Sequence, residues 1–417
     1  MPRSGGVWAV PRSRGADVDR VRAVIQTAVD AGVVPGAVAH VRHRGDVSFH
    51  EAFGSASLVP PTRPMLPDTV FDLASLTKPL VGAGVTLALA DRGCFSLDEE
   101  VTVWLPELEQ FRAKGVTLRR LLAHSAGVTG WRPVYAGAVG IDEFVRAIGA
   151  LGLAAAPGSR FEYSDLGFIL LGAVLVRAGG QSLPELARQL LFEPCGLTRT
   201  GYVPAGPEDE FAVTEEGNAF ERRMAEWAGL DFGGWRTTFR PGEVNDGNAH
   251  YGLGGVSAHA GLFSTAADVG TLGEMWLRRG AHEDRQVIST AAVDLATSDQ
   301  LPPGPARRGL GWDLCRRGGP PLEEIRRADA GFFPPVASPF TPRSSGELLS
   351  ESAFGHTGFT GTSMWIDPEL DLVAVLLTNA THPRVDLDKP VNALRARFAN
   401  AVVAACSAGA FPGPAGR

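Results

Sequence analysis

The chain has 417 residues, of which 44% are hydrophobic and 20% are charged, as is typical of a globular protein with a buried core. Its formal net charge of −7 argues against a nucleic-acid-binding surface. The longest apolar stretches, 80–90 and 166–176, are too short to span a membrane, so neither nucleic acid nor a membrane is expected as a partner.

The N-terminal part predicts a helix followed by a β-hairpin. Apolar residues recur at helical spacing within 17–31, and a glycine follows this segment. The segments 36–43 and 47–54 are separated by a short turn that contains glycine, which is typical of paired strands. Near the other end, 363–366 and 372–379 predict a second hairpin, and a closing helix is predicted after it.

Strands at both ends and helices between them indicate one sheet that is assembled from distant parts of the sequence. We therefore predict an α/β protein with a discontinuous sheet domain, 15–75 and 291–410, and a mostly helical domain, 76–290. Within the helical domain, 204–248 resists assignment and is interpreted as a long loop. Its aromatic residues favour an ordered loop, and loops of this length are commonly functional.

The four cysteines are scattered, with neither metal-type nor paired spacing. This pattern favours free thiols in a reducing compartment over disulfides. The N-terminal apolar run 7–10 is too short for the hydrophobic region of a signal peptide. We therefore expect a cytoplasmic protein.

Ser75 and Lys78 form a Ser-x-x-Lys pair at the start of a predicted helix. The apolar run 80–90 begins after Pro79 and stops before Gly93, which are typical helix boundaries. Free backbone N–H groups and the helix dipole favour developing negative charge at such a start. Lys78 shares the face of Ser75, where its amine can take up or steer the hydroxyl proton. The alternative is a serine that caps the helix, followed by a solvated lysine.

Tyr163 precedes the apolar run 166–176, which predicts another helix, so the tyrosine should lie on the loop before it. A tyrosine held near a lysine can have its phenol pKa lowered and serve as a general base towards a serine. The alternative is a tyrosine that only anchors the loop.

The triplet His356-Thr357-Gly358 opens an extended, glycine-rich stretch. Glycines in a strand often mark the close approach of a ligand or of another backbone. We therefore predict a strand on which a substrate can lie, with the backbone N–H groups of Phe359 and Ser75 as the two donors of an oxyanion hole. The alternative for His356 is an ordinary strand histidine at the surface.

These motifs, in this order, resemble those of the serine β-lactamase and penicillin-binding-protein superfamily. The similarity is greatest to its class C-like branch, which contains family VIII carboxylesterases, D-Ala-D-Ala carboxypeptidases and D-aminopeptidases. The stretches 121–127, 254–265 and 376–379 also resemble this branch, and the resemblance covers about residues 18–405.

The resemblance implies an antiparallel sheet flanked by helices, an all-helical domain, and an active site in the cleft between them. It also implies that Ser75 is the acylated nucleophile and that Lys78 and Tyr163 share the proton transfer. Neither a cofactor nor a metal is implied.

Two residues depart from the β-lactamase pattern. Asp165 stands where those enzymes usually have Asn, and a carboxylate facing Lys78 would hold the amine protonated and leave Tyr163, as phenolate, the better base. His356 stands where they mostly have Lys, and a neutral imidazole is a weaker anchor for a β-lactam carboxylate. Both departures disfavour antibiotic hydrolysis, whereas His-Thr-Gly does occur in peptidases of the branch.

The stretch 242–250 resembles a loop of many hydrolases in this branch, and Thr214-Glu215 belongs with it. Its polar groups either line the substrate pocket or satisfy one another as a structural clasp.

We expect a serine hydrolase that acts through an acyl-enzyme on a small ester or a peptide-like substrate, with short-chain esters favoured. A D-Ala-D-Ala carboxypeptidase, a D-aminopeptidase or a weak β-lactamase is the first alternative. A catalytically silent ligand-binding homologue is disfavoured, because a binding protein has no need of a base beside a nucleophile. The sequence predicts no particular oligomeric state.

Two other kinds of hydrolase fit the sequence less well. An α/β-hydrolase is excluded because the chain has no Gly-x-Ser-x-Gly motif. A metal hydrolase built from His124, Asp246, His250 and His259 is disfavoured, since their spacings match no zinc motif.

Overall fold

The computed structural model describes residues 16–238, 240–304, 306–315 and 344–411. The α-helices in these ranges are α1 (Ala16–Asp30), α2 (Gly84–Asp91), α3 (Leu118–Leu122), α4 (Ile141–Leu151), α5 (Asp165–Gly179), α6 (Leu183–Ala187), α7 (Ala219–Trp227), α8 (Ala266–Leu277), α9 (Thr290–Ala296) and α10 (Val391–Ser407). The strands are β1 (Gly36–His43), β2 (Asp46–Ser57), β3 (Arg63–Pro64), β4 (Phe71–Asp72), β5 (Gly201–Tyr202), β6 (Leu262–Ser264), β7 (Ala281–His282), β8 (Arg285–Gln286), β9 (Asp313–Leu314), β10 (Phe354–Thr357), β11 (Ser363–Asp367) and β12 (Leu372–Thr378).

The central sheet joins the two ends of the chain. Its strand order in the described ranges is β3-β2-β1-β12-β11-β10-β9. β1 pairs antiparallel with both β2 and β12, so that Ala37 lies opposite Thr378 and His43 lies opposite Leu372. The prediction of an antiparallel sheet built from distant segments is thus confirmed, and the two hairpins lie where the sequence placed them.

Side chains alternate between the two faces of this sheet, as strand geometry requires. One face packs against α1 and α10, and Val21 and Phe398 are buried there. The other face packs against α8, where a Cβ atom on Gly273 would lie only 2.5 Å from Val373 Cγ1. A glycine is therefore needed at this position for close contact between helix and sheet.

Helix α5 is buried along most of its length, and it fixes the residues at its start. The Ser164 side chain caps it by accepting a hydrogen bond from the Gly167 N–H, and Gly180 ends it with a left-handed φ of 67°. Such a cap is typically worth about 1 kcal/mol. Tyr163 therefore lies just before the helix and Asp165 is its first residue.

Within the described ranges, no single helix is long and apolar enough to cross a membrane, and only the sharply bent pair Asp165–Gly179 with Leu183–Phe192 passes that test jointly.

The segment 204–248 is not a continuous loop as predicted, because it contains α7. This helix buries Phe220 and Met224 on one side, and its apolar residues recur at helical spacing over only nine residues, which is a short signal within a polar segment. The division into two domains stays a prediction, and its segment 316–343 lies outside the described residues. The packing of α8 on the sheet favours a domain boundary before residue 266.

Candidate active site

Ser75 lies in a single 3₁₀ turn, Ala74–Leu76, which leads into a π-helical turn, Lys78–Ala83, and then into α2. Ala74 has a φ of 48°, and the Asp72 carboxylate holds this turn by accepting a hydrogen bond from the Ala74 N–H at 2.8 Å. Lys78 Nζ lies 3.0 Å from Ser75 Oγ. The three-residue spacing therefore brings the amine to the hydroxyl. The helix is not a regular α-helix here, because it begins with a 3₁₀ turn and continues with a π-helical turn.

Lys78 is fully buried, and three acceptors surround its amine. Nζ donates to Ser75 Oγ at 3.0 Å and to the carbonyl of His259 at 3.0 Å, and it lies 2.6 Å from Asp165 Oδ1. The Tyr163 side chain is a further hydrogen-bond partner of this amine. Burial lowers the pKa of Lys78, but the charges of Asp165 and Tyr163 and the hydrogen bonds to both together outweigh it, and the pKa lies above its usual value. Lys78 is therefore a cation in the resting site.

Tyr163 is buried beside this pair, and its ring centroid lies 4.9 Å from Lys78 Nζ. Burial raises the pKa of the Tyr163 phenol above its usual value, and the Lys78 charge and the hydrogen bonds to Lys78 and Ser75 only oppose this rise. The expectation of a lowered phenol pKa was therefore wrong, because the cost of a buried phenolate exceeds the gain from one nearby cation that Asp165 already neutralises.

Three further side chains surround the Tyr163 ring. The His124 ring stacks on it with centroids 4.3 Å apart, the His356 ring lies at 6.0 Å, and the guanidinium carbon of Arg308 lies 5.6 Å from its centroid. Burial keeps the pKa of both histidines well below the usual value, so both rings are neutral near pH 7. Arg308 pairs with Asp313.

His356 lies on β10, followed by Thr357, which pairs with Ser363 of β11. His356 Nδ1 lies 2.7 Å from the Thr357 carbonyl oxygen. A carbonyl only accepts, so Nδ1 carries the proton of the neutral ring and Nε2 carries a lone pair. The residue next to Tyr163 on this strand is thus an uncharged hydrogen-bond acceptor.

The turn after β10 is tied directly to the nucleophile segment. The hydroxyl of Thr360 donates to the Asp72 carbonyl at 2.8 Å, and the hydroxyl of Thr362 donates to the Leu73 carbonyl at 2.9 Å. A Cβ atom at Gly358 would lie 2.4 Å from the Leu73 carbonyl oxygen, so only glycine fits there. The two backbone segments therefore approach each other closely beside Ser75.

The two predicted oxyanion donors, the N–H groups of Ser75 and Phe359, belong to these two segments. Among the described residues, the backbone N–H groups of Ser75 and Phe359 have no hydrogen-bond acceptor. Buried N–H groups are rarely left unpaired in proteins without a reason. Both N–H groups are therefore available to a ligand oxygen.

The beta-lactamase family profile matches residues 21–397. The chain belongs to this family. Esterase EstB of Burkholderia gladioli is 32% identical over 390 residues, which cover 87% of this chain and 90% of that protein. An N-acetylmuramyl-L-alanine amidase of Bacillus subtilis is 30% identical over 397 residues, which cover 89% and 83% respectively. A penicillin-binding protein homologue from Caulobacter crescentus has the same fold, with a TM-score of 0.69, 20% identity, and coverage of 95% of this chain and 99% of that one.

The beta-lactamase-family site has a clasp, which we define as Asn245, Asp246 and His259. The Asn245 N–H donates to Asp72 Oδ2 at 2.7 Å, and His259 Nε2 lies 2.9 Å from Asp246 Oδ1. His259 Nδ1 is hydrogen bonded to the Ser257 hydroxyl at 2.7 Å. Asn245 thus binds the segment before Ser75. Asp246 binds His259, whose carbonyl accepts a hydrogen bond from Lys78.

Sequence reasoning gave no catalytic-site role to His124, His259 or Arg308. The two histidines occur in the family-like stretches 121–127 and 254–265, which were the available signal. Arg308 has no such signal, because it reaches Tyr163 only through the folding of a distant segment. Among the described residues, no group of three or more His, Cys, Asp and Glu is placed to hold a metal ion.

Proposed function

We propose that this protein is a serine hydrolase that cleaves small esters through an acyl-enzyme on Ser75. The set of contacts around Lys78 carries the proposal, since one buried amine touches the hydroxyl of Ser75 and the carboxylate of Asp165. A binding protein would have no reason to bury a charged amine against a serine hydroxyl. Tyr163, also buried here, supplies a third titratable group.

In the proposed reaction, the Tyr163 phenolate accepts the Ser75 proton while Ser75 Oγ attacks the ester carbonyl. The Lys78 ammonium, held by Asp165, stabilises the phenolate while it exists. The N–H groups of Ser75 and Phe359 bind the oxyanion of the tetrahedral intermediate. Tyr163 then gives its proton to the leaving alcohol, and a water molecule, deprotonated in the same way, releases the acid.

Esters are the favoured substrates for two reasons. EstB, the relative named an esterase, is 32% identical over nearly the whole chain. In addition, the neutral ring of His356 offers no positive charge for the carboxylate of a β-lactam. Amide hydrolysis is the second candidate, since the Bacillus subtilis relative is named an amidase.

A panel of substrates tested on one preparation distinguishes these possibilities. We expect p-nitrophenyl butyrate to be hydrolysed with a kcat/KM at least about tenfold above that of nitrocefin or a D-Ala-D-Ala peptide. Heat-denatured protein is the control. A kcat/KM for either amide substrate that exceeds the value for every ester tested would move the assignment to the amidase or β-lactamase class.

The pH dependence of activity tests the state of the site. Because the pKa values of Lys78 and Tyr163 both lie above their usual values, the base must first lose a proton, and kcat/KM should rise with pH by about tenfold per unit in the neutral range. Asp165→Asn removes a negative charge that raises the pKa values of both Tyr163 and Lys78. We expect the rise in kcat/KM to move to lower pH in this variant.

The matched control for Asp165→Asn is Asp294→Asn, which removes a carboxylate from a surface ion pair with Arg279. Its profile should overlay that of the wild type. A profile of Asp165→Asn that also overlays the wild type would show that the carboxylate does not set the protonation of the site.

We also propose a cytoplasmic location. All four cysteines are free thiols, which supports a reducing environment. Fractionation of cells that express the protein from its own gene, with detection by antibody, tests this proposal.

A further inference from the structure

Arg395 is an unusual residue for a helix that packs on the sheet. It lies on α10 with only 5% of its surface exposed. Among the described residues it forms no ion pair with any carboxylate, and burial lowers its pKa to about 9, so it still carries its charge at neutral pH. A buried charge without a partner of opposite sign costs several kcal/mol unless hydrogen bonds replace its hydration.

Two hydrogen bonds of Arg395 converge on the turn that follows β10, and a third runs from Nη1 to Asn392 Oδ1 at 2.7 Å on the same helix. Its Nη2 donates to the Gly358 carbonyl at 2.7 Å and to the Thr362 carbonyl at 3.0 Å. The same turn is closed by the Gly358 N–H, which donates to Thr362 at 2.8 Å, and by the Gly361 N–H, which donates to the Gly358 carbonyl at 3.1 Å. One guanidinium group thus binds both ends of the turn.

The contact with Gly358 bears on the oxyanion hole because of peptide geometry. The Gly358 carbonyl and the Phe359 N–H belong to one planar peptide unit and point in opposite directions. A donor that holds the carbonyl on the α10 side therefore fixes the N–H on the other side. A cation on the carbonyl oxygen also polarises the unit and makes its N–H a stronger donor.

We infer that Arg395 is a positioning residue that orients the Gly358–Phe359 peptide, and with it the second donor of the oxyanion hole. The inference rests on the proposed function, since this orientation matters only if Ser75 forms an acyl-enzyme. Arg395 does not touch the reacting atoms. Its effect passes through one peptide unit.

Two substitutions test the inference. Arg395→Gln removes the charge and the second donor at the same time, and kcat for p-nitrophenyl butyrate should fall by about 10²-fold, the lower range for loss of an oxyanion donor. Arg395→Lys keeps the charge, and the lysine can reach one of the two carbonyl groups, so kcat should fall by only about tenfold. KM should change by less than about threefold in both variants, since the oxyanion forms only in the transition state.

The control is Asn400→Ala on the same helix. The Asn400 side chain accepts hydrogen bonds from the N–H groups of Glu347 and Leu348, away from Ser75. This variant loses helix-to-loop hydrogen bonds as the Arg395 variants do, but its kcat should equal that of the wild type. Thermal unfolding of each variant shows what fraction is folded.

A second readout separates an effect on the oxyanion from general loosening of the fold. An alkyl boronic acid binds as a tetrahedral adduct, so its affinity should fall in Arg395→Gln by the same factor as kcat/KM. Folded Arg395→Gln and Arg395→Lys proteins with wild-type kcat, or a lowered melting temperature with unchanged boronate affinity, would overturn the inference and leave the proposed function intact. Wild-type protein that forms no fluorophosphonate adduct on Ser75 would overturn both.

Discussion

Ser75→Ala is expected to lower kcat for p-nitrophenyl butyrate by about 10⁶-fold, the loss found when the nucleophile of a serine hydrolase is removed. Lys78 and Tyr163 remain in this variant, but they have no hydroxyl to deprotonate. Alanine fits the same tight turn, which the Asp72 carboxylate holds through the Ala74 N–H, so the fold should persist. The measurement is steady-state turnover together with a thermal unfolding curve.

The same variant should lose its covalent adduct. A fluorophosphonate reacts with an activated serine, so mass spectrometry of the wild-type protein should locate one adduct on residue 75. Ser298→Ala, which changes an exposed serine, should keep both the adduct and the activity. An adduct on another residue, or turnover that survives in Ser75→Ala, would remove Ser75 from the mechanism.

Tyr163→Phe is expected to lower kcat by about 10²–10⁴-fold, the usual range for the loss of a general base. Phenylalanine keeps the ring that stacks on His124, so the change is confined to the hydroxyl group. Because the phenol pKa is raised by burial, the wild-type rate depends on a minor phenolate form. The variant should therefore also lose the increase in kcat/KM with pH, which can be followed with the same ester.

A comparison within the tyrosines controls for packing effects. The Tyr251 hydroxyl donates to Asn218 Oδ1 at 3.0 Å, away from the nucleophile. Tyr251→Phe loses a hydroxyl of the same kind but should keep the wild-type pH profile. If Tyr163→Phe retained near-wild-type turnover, Lys78 would have to be the base, and the role assigned to the phenol would be wrong.

Local patterns predicted the elements and the order of the site residues well. The strands β1, β2, β11 and β12 alternate or run apolar between short turns, and such patterns depend only on neighbouring residues. The helix α7 was missed because its burial comes from contacts with distant side chains. Phe220, Met224 and Trp227 do recur at helical spacing in this nine-residue helix, but the glycine-rich polar sequence around it hid so short a pattern.

The active site shows the same difference between features set by local sequence and features set by contacts between distant residues. The spacing of Ser75 and Lys78 is local, because any helical turn brings residues three apart to one face. The sequence predicts the pairing of Lys78 with Asp165 only conditionally, because this contact depends on how α5 packs against the nucleophile turn. The clasp lies in the family-like stretches 242–250 and 254–265, but its contacts with the nucleophile segment could not be read from them, and Arg395 had no local signal at all.

The sequence by itself determined which chemical groups are present and which of them short-range geometry places together. These are a hydroxyl next to an amine, a phenol just before a helix, and a glycine-rich strand. Only the tertiary structure decided their charge states. Burial raises the phenol pKa of Tyr163, and Asp165 keeps Lys78 protonated. The physical reason is that desolvation and Coulomb interactions depend on distances through space, which spacing along the chain does not encode.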